Sequence, residues 1–216
     1  MIKKNIIKDL KLIVHGKMFW LFELAFIAVA CMISVMTKKQ FSYMNMSLFR
    51  LSFPLAMSYA ALTFIPIGDF HREQRNGCFS YLMGTSMKIQ TYVYSKGIVM
   101  GIISFVPSFL FILLGIQNVE IVTELAVAIL IFIFAMNISF WYAYEIIVST
   151  NPVKTMGKAN IIAIGLFIIL AISSKININE FSRTIIIIAY IFNSILFYWC
   201  VIKIRTLSLD SILCRR

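Results

Sequence analysis

Within seven residues, Asp69-Phe70-His71-Arg72-Glu73-Gln74-Arg75, the chain gathers two carboxylates, two guanidinium groups and an imidazole. Acids and bases this close suit charge-paired contact with a partner surface. Elsewhere the chemistry-bearing residues are sparse. Glu23 is the one carboxylate well inside a long apolar run, and Glu145 closes another. A carboxylate in such a run is a functional candidate, for substrate or for a proton, unless it snorkels or pairs with a neighbour. Ser139, Ser173 and Ser174 have no histidine in register, so nucleophilic catalysis is not expected and no catalytic residue is assigned. Met156-Gly157-Lys158-Ala159 has a Gly-Lys pair but lacks the earlier glycine and the hydroxyl of a phosphate-binding loop. Cys31, Cys78, Cys200 and Cys214 match no zinc spacing and no disulfide framework.

These groups are set among elements of an unusual solvent. Of 216 residues 61% are apolar and 13% charged, with mean hydropathy +0.90. An ordinary soluble domain has about twice that charge. A spanning helix needs about 20 mostly apolar residues. Runs of this kind place six spans at about 18–36, 51–69, 97–119, 123–146, 159–174 and 184–202. The expected fold class is an all-α membrane protein: six transmembrane helices in a single domain over 1–216, with both termini cytoplasmic and an N-terminal amphipathic interfacial helix.

The net charge of +11 would point a soluble protein towards nucleic acid. Here its distribution has a simpler reading. With a cytoplasmic N-terminus, fifteen of the 20 Lys and Arg residues fall on the inner side and five on the outer. Lipid is therefore the expected partner of this charge, and nucleic acid is not.

The arm over 1–17 places Ile2, Ile6, Leu10, Ile13 and Val14 on one side and Lys4, Lys8, Lys11 and His15 on the other. It either lies in the membrane interface with its lysines towards anionic lipid, or is a basic flank that sets orientation. Pro54, Pro66 and Pro107 fall in spans two and three, where they kink a helix or only shape its packing. The aromatic cluster Phe140, Trp141, Tyr142 and Tyr144 reads as an interfacial belt.

The loop over 69–96 is long for a simple connection. After Asn76-Gly77 it places Phe79, Leu82, Met83 and Met87 at helical spacing, one apolar stripe on a short helix. Such a stripe needs a surface to cover.

At this loop the sequence resembles the membrane (permease) subunits of type-2 ATP-binding-cassette (ABC) exporters. That family carries an acidic residue, a basic residue, a glycine and an amphipathic helix between spans two and three, then a lysine opening span three. Glu73, Arg75 and Gly77 match the first part, Leu82 and Met83 the helix, and Lys96 the lysine. Thr85-Ser86 stands where Thr-Pro is usual, and Phe79-Ser80-Tyr81 replaces an acidic-leucine stretch.

The resemblance implies that Arg72, Glu73, Arg75, Gly77, Phe79, Leu82, Met83 and Lys96 couple the chain to a separate ATPase subunit. It implies pairing with a second permease subunit, as homodimer or heterodimer. This chain would bind no cofactor or metal; ATP and magnesium would sit on the ATPase. The expected cargo is an amphipathic or hydrophobic molecule such as a peptide, toxin, antimicrobial or drug. Glu23, Asp69 and Glu145 are the polar candidates for its path. The rival expectation is a membrane-embedded sensor, accessory or immunity protein with no transport path.

Overall fold

The computed structural model describes residues 2–40, 46–64, 88–115, 121–148 and 182–207, with 157, 158, 161 and 165. Six helices fill the five long segments: α1 (Ile2–Val14), α2 (Lys17–Gln40), α3 (Met46–Phe64), α4 (Ile89–Gly115), α5 (Ile121–Val148) and α6 (Ser182–Arg205). No strand occurs among the described residues. The stretches Ile89–Leu113, Leu125–Val148 and Ile187–Arg205 are long and apolar enough to cross a membrane, and Phe19–Val29 and Phe53–Thr63 are shorter apolar stretches. The span expected at 159–174 lies outside the described residues, apart from 161 and 165.

The joint between α1 and α2 is built locally. Helix α1 ends before Gly16, whose amide donates to the Ile13 carbonyl at 2.9 Å. The Trp20 indole N–H then donates to the Val14 carbonyl at 2.8 Å, satisfying one of the carbonyls that a helix end leaves open.

Helix α4 is the hub, in contact with all five other helices. Its closest partner is α5. A Cβ on Gly97 would stand 2.3 Å from Phe140 Cδ1, and one on Gly101 would stand 2.4 Å from Met136 Sδ. Two glycines four apart thus let the helices approach through bare backbone. Around this contact Tyr59, Leu62, Val93, Met100, Phe140, Tyr142 and Ile146 form the main core, completed by Ile204 and Leu207.

Cross-helix contacts fix direction. Ser108 donates to the Pro54 carbonyl at 2.7 Å, while Ala61 packs with Val99, so α3 and α4 are antiparallel. Gly97 meets Phe140 and Gly101 meets Met136, so α4 and α5 are antiparallel. Tyr190 reaches the Ala126 carbonyl, and Cys200 the Asn137 carbonyl, so α5 and α6 run the same way. Gln90 donates to the Leu207 carbonyl at 2.7 Å, bringing the end of α6 to the start of α4. The start of α4 also receives α1. The first described helix and the last therefore lie at the same end of the bundle.

The charge-free run that set the start of span three at 97 is broken by Lys96, yet α4 begins at Ile89. Lys96 is neutralised within the fold, so the helix passes through it, and the last eight residues of the 69–96 loop are helical. The amphipathic helix expected at the N-terminus forms as α1, and Ile6, Leu10 and Ile13 on its apolar side pack against Ala61, Val99 and Ile103. Protein covers that stripe because α3 and α4 offer an apolar surface at the same level. Lys8, Lys11 and His15 remain exposed, as the amphipathic pattern requires.

Candidate functional site

The end of the bundle where α1 meets α4 holds most of the described ionisable groups. Lys96 lies two turns into α4, and its Nζ stands 3.2 Å from the Asp9 carboxylate on α1. Both side chains are largely shielded, at 10% and 13% exposure. The same ammonium sits 5.6 Å from the centre of the Tyr92 ring, one turn earlier on α4. An ammonium held by a carboxylate and an aromatic face can be buried where an unpaired one could not. The pair therefore fastens the N-terminal helix to the hub helix.

Glu145, near the end of α5, pairs with Lys158 at 2.7 Å. The lysine is half exposed, so this is a surface bridge of small worth.

Glu23 differs from both. Only 3% of it is exposed, and neither carboxylate oxygen has a hydrogen-bond partner. Phe26, one turn on, packs with Met57 and Phe111 and also with Ala61 and Val99. Ser58, between Met57 and Ala61 on α3, has an equally buried and unpartnered hydroxyl. Two buried polar groups, one on α2 and one on α3, are thus unsatisfied. Native interiors satisfy nearly all such groups, so each exception asks for an explanation.

Other buried polar contacts hold helices together. The Tyr59 and Tyr142 hydroxyls share a hydrogen bond at 3.0 Å between α3 and α5. Asn137 donates to the Asn193 carbonyl at 2.8 Å and to its side-chain oxygen at 3.2 Å, joining α5 to α6. Ser95, Ser104 and Ser139 each donate to the carbonyl three residues earlier on their own helix. Among the described residues no three His, Cys, Asp or Glu side chains gather as metal ligands.

Of the residues assigned to coupling, Arg72, Glu73, Arg75, Gly77, Phe79, Leu82 and Met83 lie outside the described residues, as does Asp69. Lys96 is described, and its partner is internal. Asp9, the one acid in a basic arm, is the partner that sequence reading missed; its sign was the available signal. Gly97 and Gly101 were also missed, although a four-residue glycine spacing in an apolar segment is legible. Asn137 and Asn193 stand out only as amides within apolar runs.

Comparison with protein-family models, with curated proteins and with solved structures found no match to this chain.

Proposed function

We propose that the chain is the permease subunit of an ABC exporter, moving an amphipathic or hydrophobic substrate out across the cytoplasmic membrane. The observation that carries this reading is the place of α4. It follows the patterned segment over 69–87 with only Lys88 between, and it touches every other described helix. A force applied to that segment would enter the bundle through its hub. The Lys96–Asp9 pair stiffens that entry point by adding α1 to it. Switching a two-state path from 1:99 to 99:1 takes about 5.5 kcal/mol of differential binding. ATPase subunits docked at the segment would supply it, and this chain would hydrolyse no ATP itself. The end bearing Asp9, Lys96, Glu145 and Arg205 is the cytoplasmic end in this reading, and a second permease subunit completes the path.

The test is co-purification. The tagged full chain, expressed with its neighbouring genes, should bring down a nucleotide-binding protein in stoichiometric amount. Glu73→Ala and Phe79→Ala should reduce both that capture and export while insertion into the membrane is unchanged. Glu73 would lose a charge contact and Phe79 an apolar anchor. Lys175→Ala, between the runs expected as spans five and six and so on the outer side in this reading, should behave as wild type. Capture of no nucleotide-binding protein by any variant would favour the accessory reading instead.

Topology is tested separately. A membrane-impermeant thiol reagent should label Cys78 and Cys214 in inside-out vesicles and leave both untouched in intact cells. Labelling of Cys78 from outside would remove the basis for a cytoplasmic docking loop.

A further inference from the structure

Between α5 and α6 a groove of about 290 Å³ opens on the side of the bundle, walled by Phe134, Trp141, Phe192, Leu196 and Trp199. Its floor includes Asn137, whose amide N–H groups are committed to Asn193 and whose Oδ1 is enclosed. The surface it presents is therefore hydrocarbon and aromatic. One end is not neutral. The Lys203 ammonium sits 5.8 Å from the centre of the Trp199 ring, on the groove side of α6. The other exposed residues of α6, among them Ile191, Ile195 and Tyr198, make a ridge on a different side of the helix, and Arg205 continues that ridge.

An apolar slot that ends at a cation matches one kind of molecule: a hydrocarbon chain with an anionic head. We propose that this groove is a binding site for an anionic phospholipid, with an acyl chain between Trp141 and Trp199 and the phosphate at Lys203. The site rests on the membrane character of the chain and not on its being an exporter. Trp199 serves both parts, with its ring lining the slot and its face towards the ammonium. Each cation near a phosphate contributes about 1 kcal/mol, which is about fivefold in affinity.

The three tryptophans make the site directly readable. In a Trp20→Phe background only Trp141 and Trp199 remain, and both line the groove. The full chain would be placed in phosphatidylcholine vesicles in which either a tenth of the phosphatidylcholine, or a tenth of the lipid as phosphatidylglycerol, carries brominated acyl chains. Brominated phosphatidylglycerol should quench well beyond its mole fraction, and brominated phosphatidylcholine only in proportion to it. Lys203→Gln should weaken the phosphatidylglycerol preference about fivefold, while Arg205→Gln, on the opposite side of α6, should leave it intact. Lys8→Gln with Lys11→Gln, exposed on α1 at the same end, should leave it intact. Equal quenching by the two lipids would overturn the proposal. So would a preference lost as readily in the α1 variant, which would mean general surface attraction. Weak quenching by both lipids in a dimeric sample would give the groove to a second copy and overturn it as well.

Discussion

Asp9→Ala is expected to destabilise the protein by about 3–5 kcal/mol, because it leaves a shielded Lys96 ammonium without its carboxylate. This is far more than a charge change on an exposed arm would cost, which is within about 0.5 kcal/mol. Lys8→Ala, one residue away and exposed, supplies that comparison. Lys96→Met in the Asp9→Ala background should recover most of the loss, since methionine fills similar volume without a charge. Unfolding in mild detergent, followed by denaturant midpoint for the four members of the cycle, measures the coupling directly. Additive single effects would show that α1 is held by its apolar stripe alone.

Gly101→Leu is expected to prevent stable folding, and Gly101→Ala to cost about 1–3 kcal/mol. A Cβ there meets Met136 Sδ at 2.4 Å and Ser139 Oγ at 2.9 Å, and both can turn aside. It also meets the Met136 Cα at 3.3 Å, and a backbone atom moves only if the helices part. At Gly97 the obstacle is the Phe140 ring alone. Gly97→Ala should therefore be partly rescued by Phe140→Leu, while no single change on α5 should rescue Gly101→Leu. Ile102→Leu, on the exposed side of α4, should be close to neutral. The readout is the monodisperse fraction after extraction together with thermal midpoint. Wild-type behaviour of Gly101→Leu would mean that α4 and α5 do not depend on close approach.

Helix existence was legible from apolar runs alone, because lipid leaves few alternatives for a backbone that must satisfy itself. Boundaries were less so. Helix α4 runs on through Lys96, before the charge-free run, and that charge is answered by a residue 87 positions earlier in the chain. No local pattern carries such a pairing. The apolar side of α1 was legible in its spacing, and what covers it was not. Periodicity tells which residues share a face and is silent on whether lipid or protein lies opposite. Glu23 was singled out correctly as an internal carboxylate. That Ser58 shares its lack of a partner depends on how α2 and α3 dock, which sequence does not encode locally. The densest charge in the chain, over 69–75, lies outside the described residues, so its reading continues to rest on pattern.

The Tyr59–Tyr142 hydrogen bond has a mechanical consequence. It joins α3 to α5 directly, past the hub between them, and Tyr59 stands only five residues before Phe64, where the described part of α3 ends. An oxygen–oxygen bond of this type is lost once its length grows by about half an ångström. A helix that advances by a single residue moves about 1.5 Å and turns by more than a quarter of a circle. A shift of α3 against α5 of that size breaks the bond, at a cost of about 1 kcal/mol, so the pair adds a small directional resistance to sliding between these two helices.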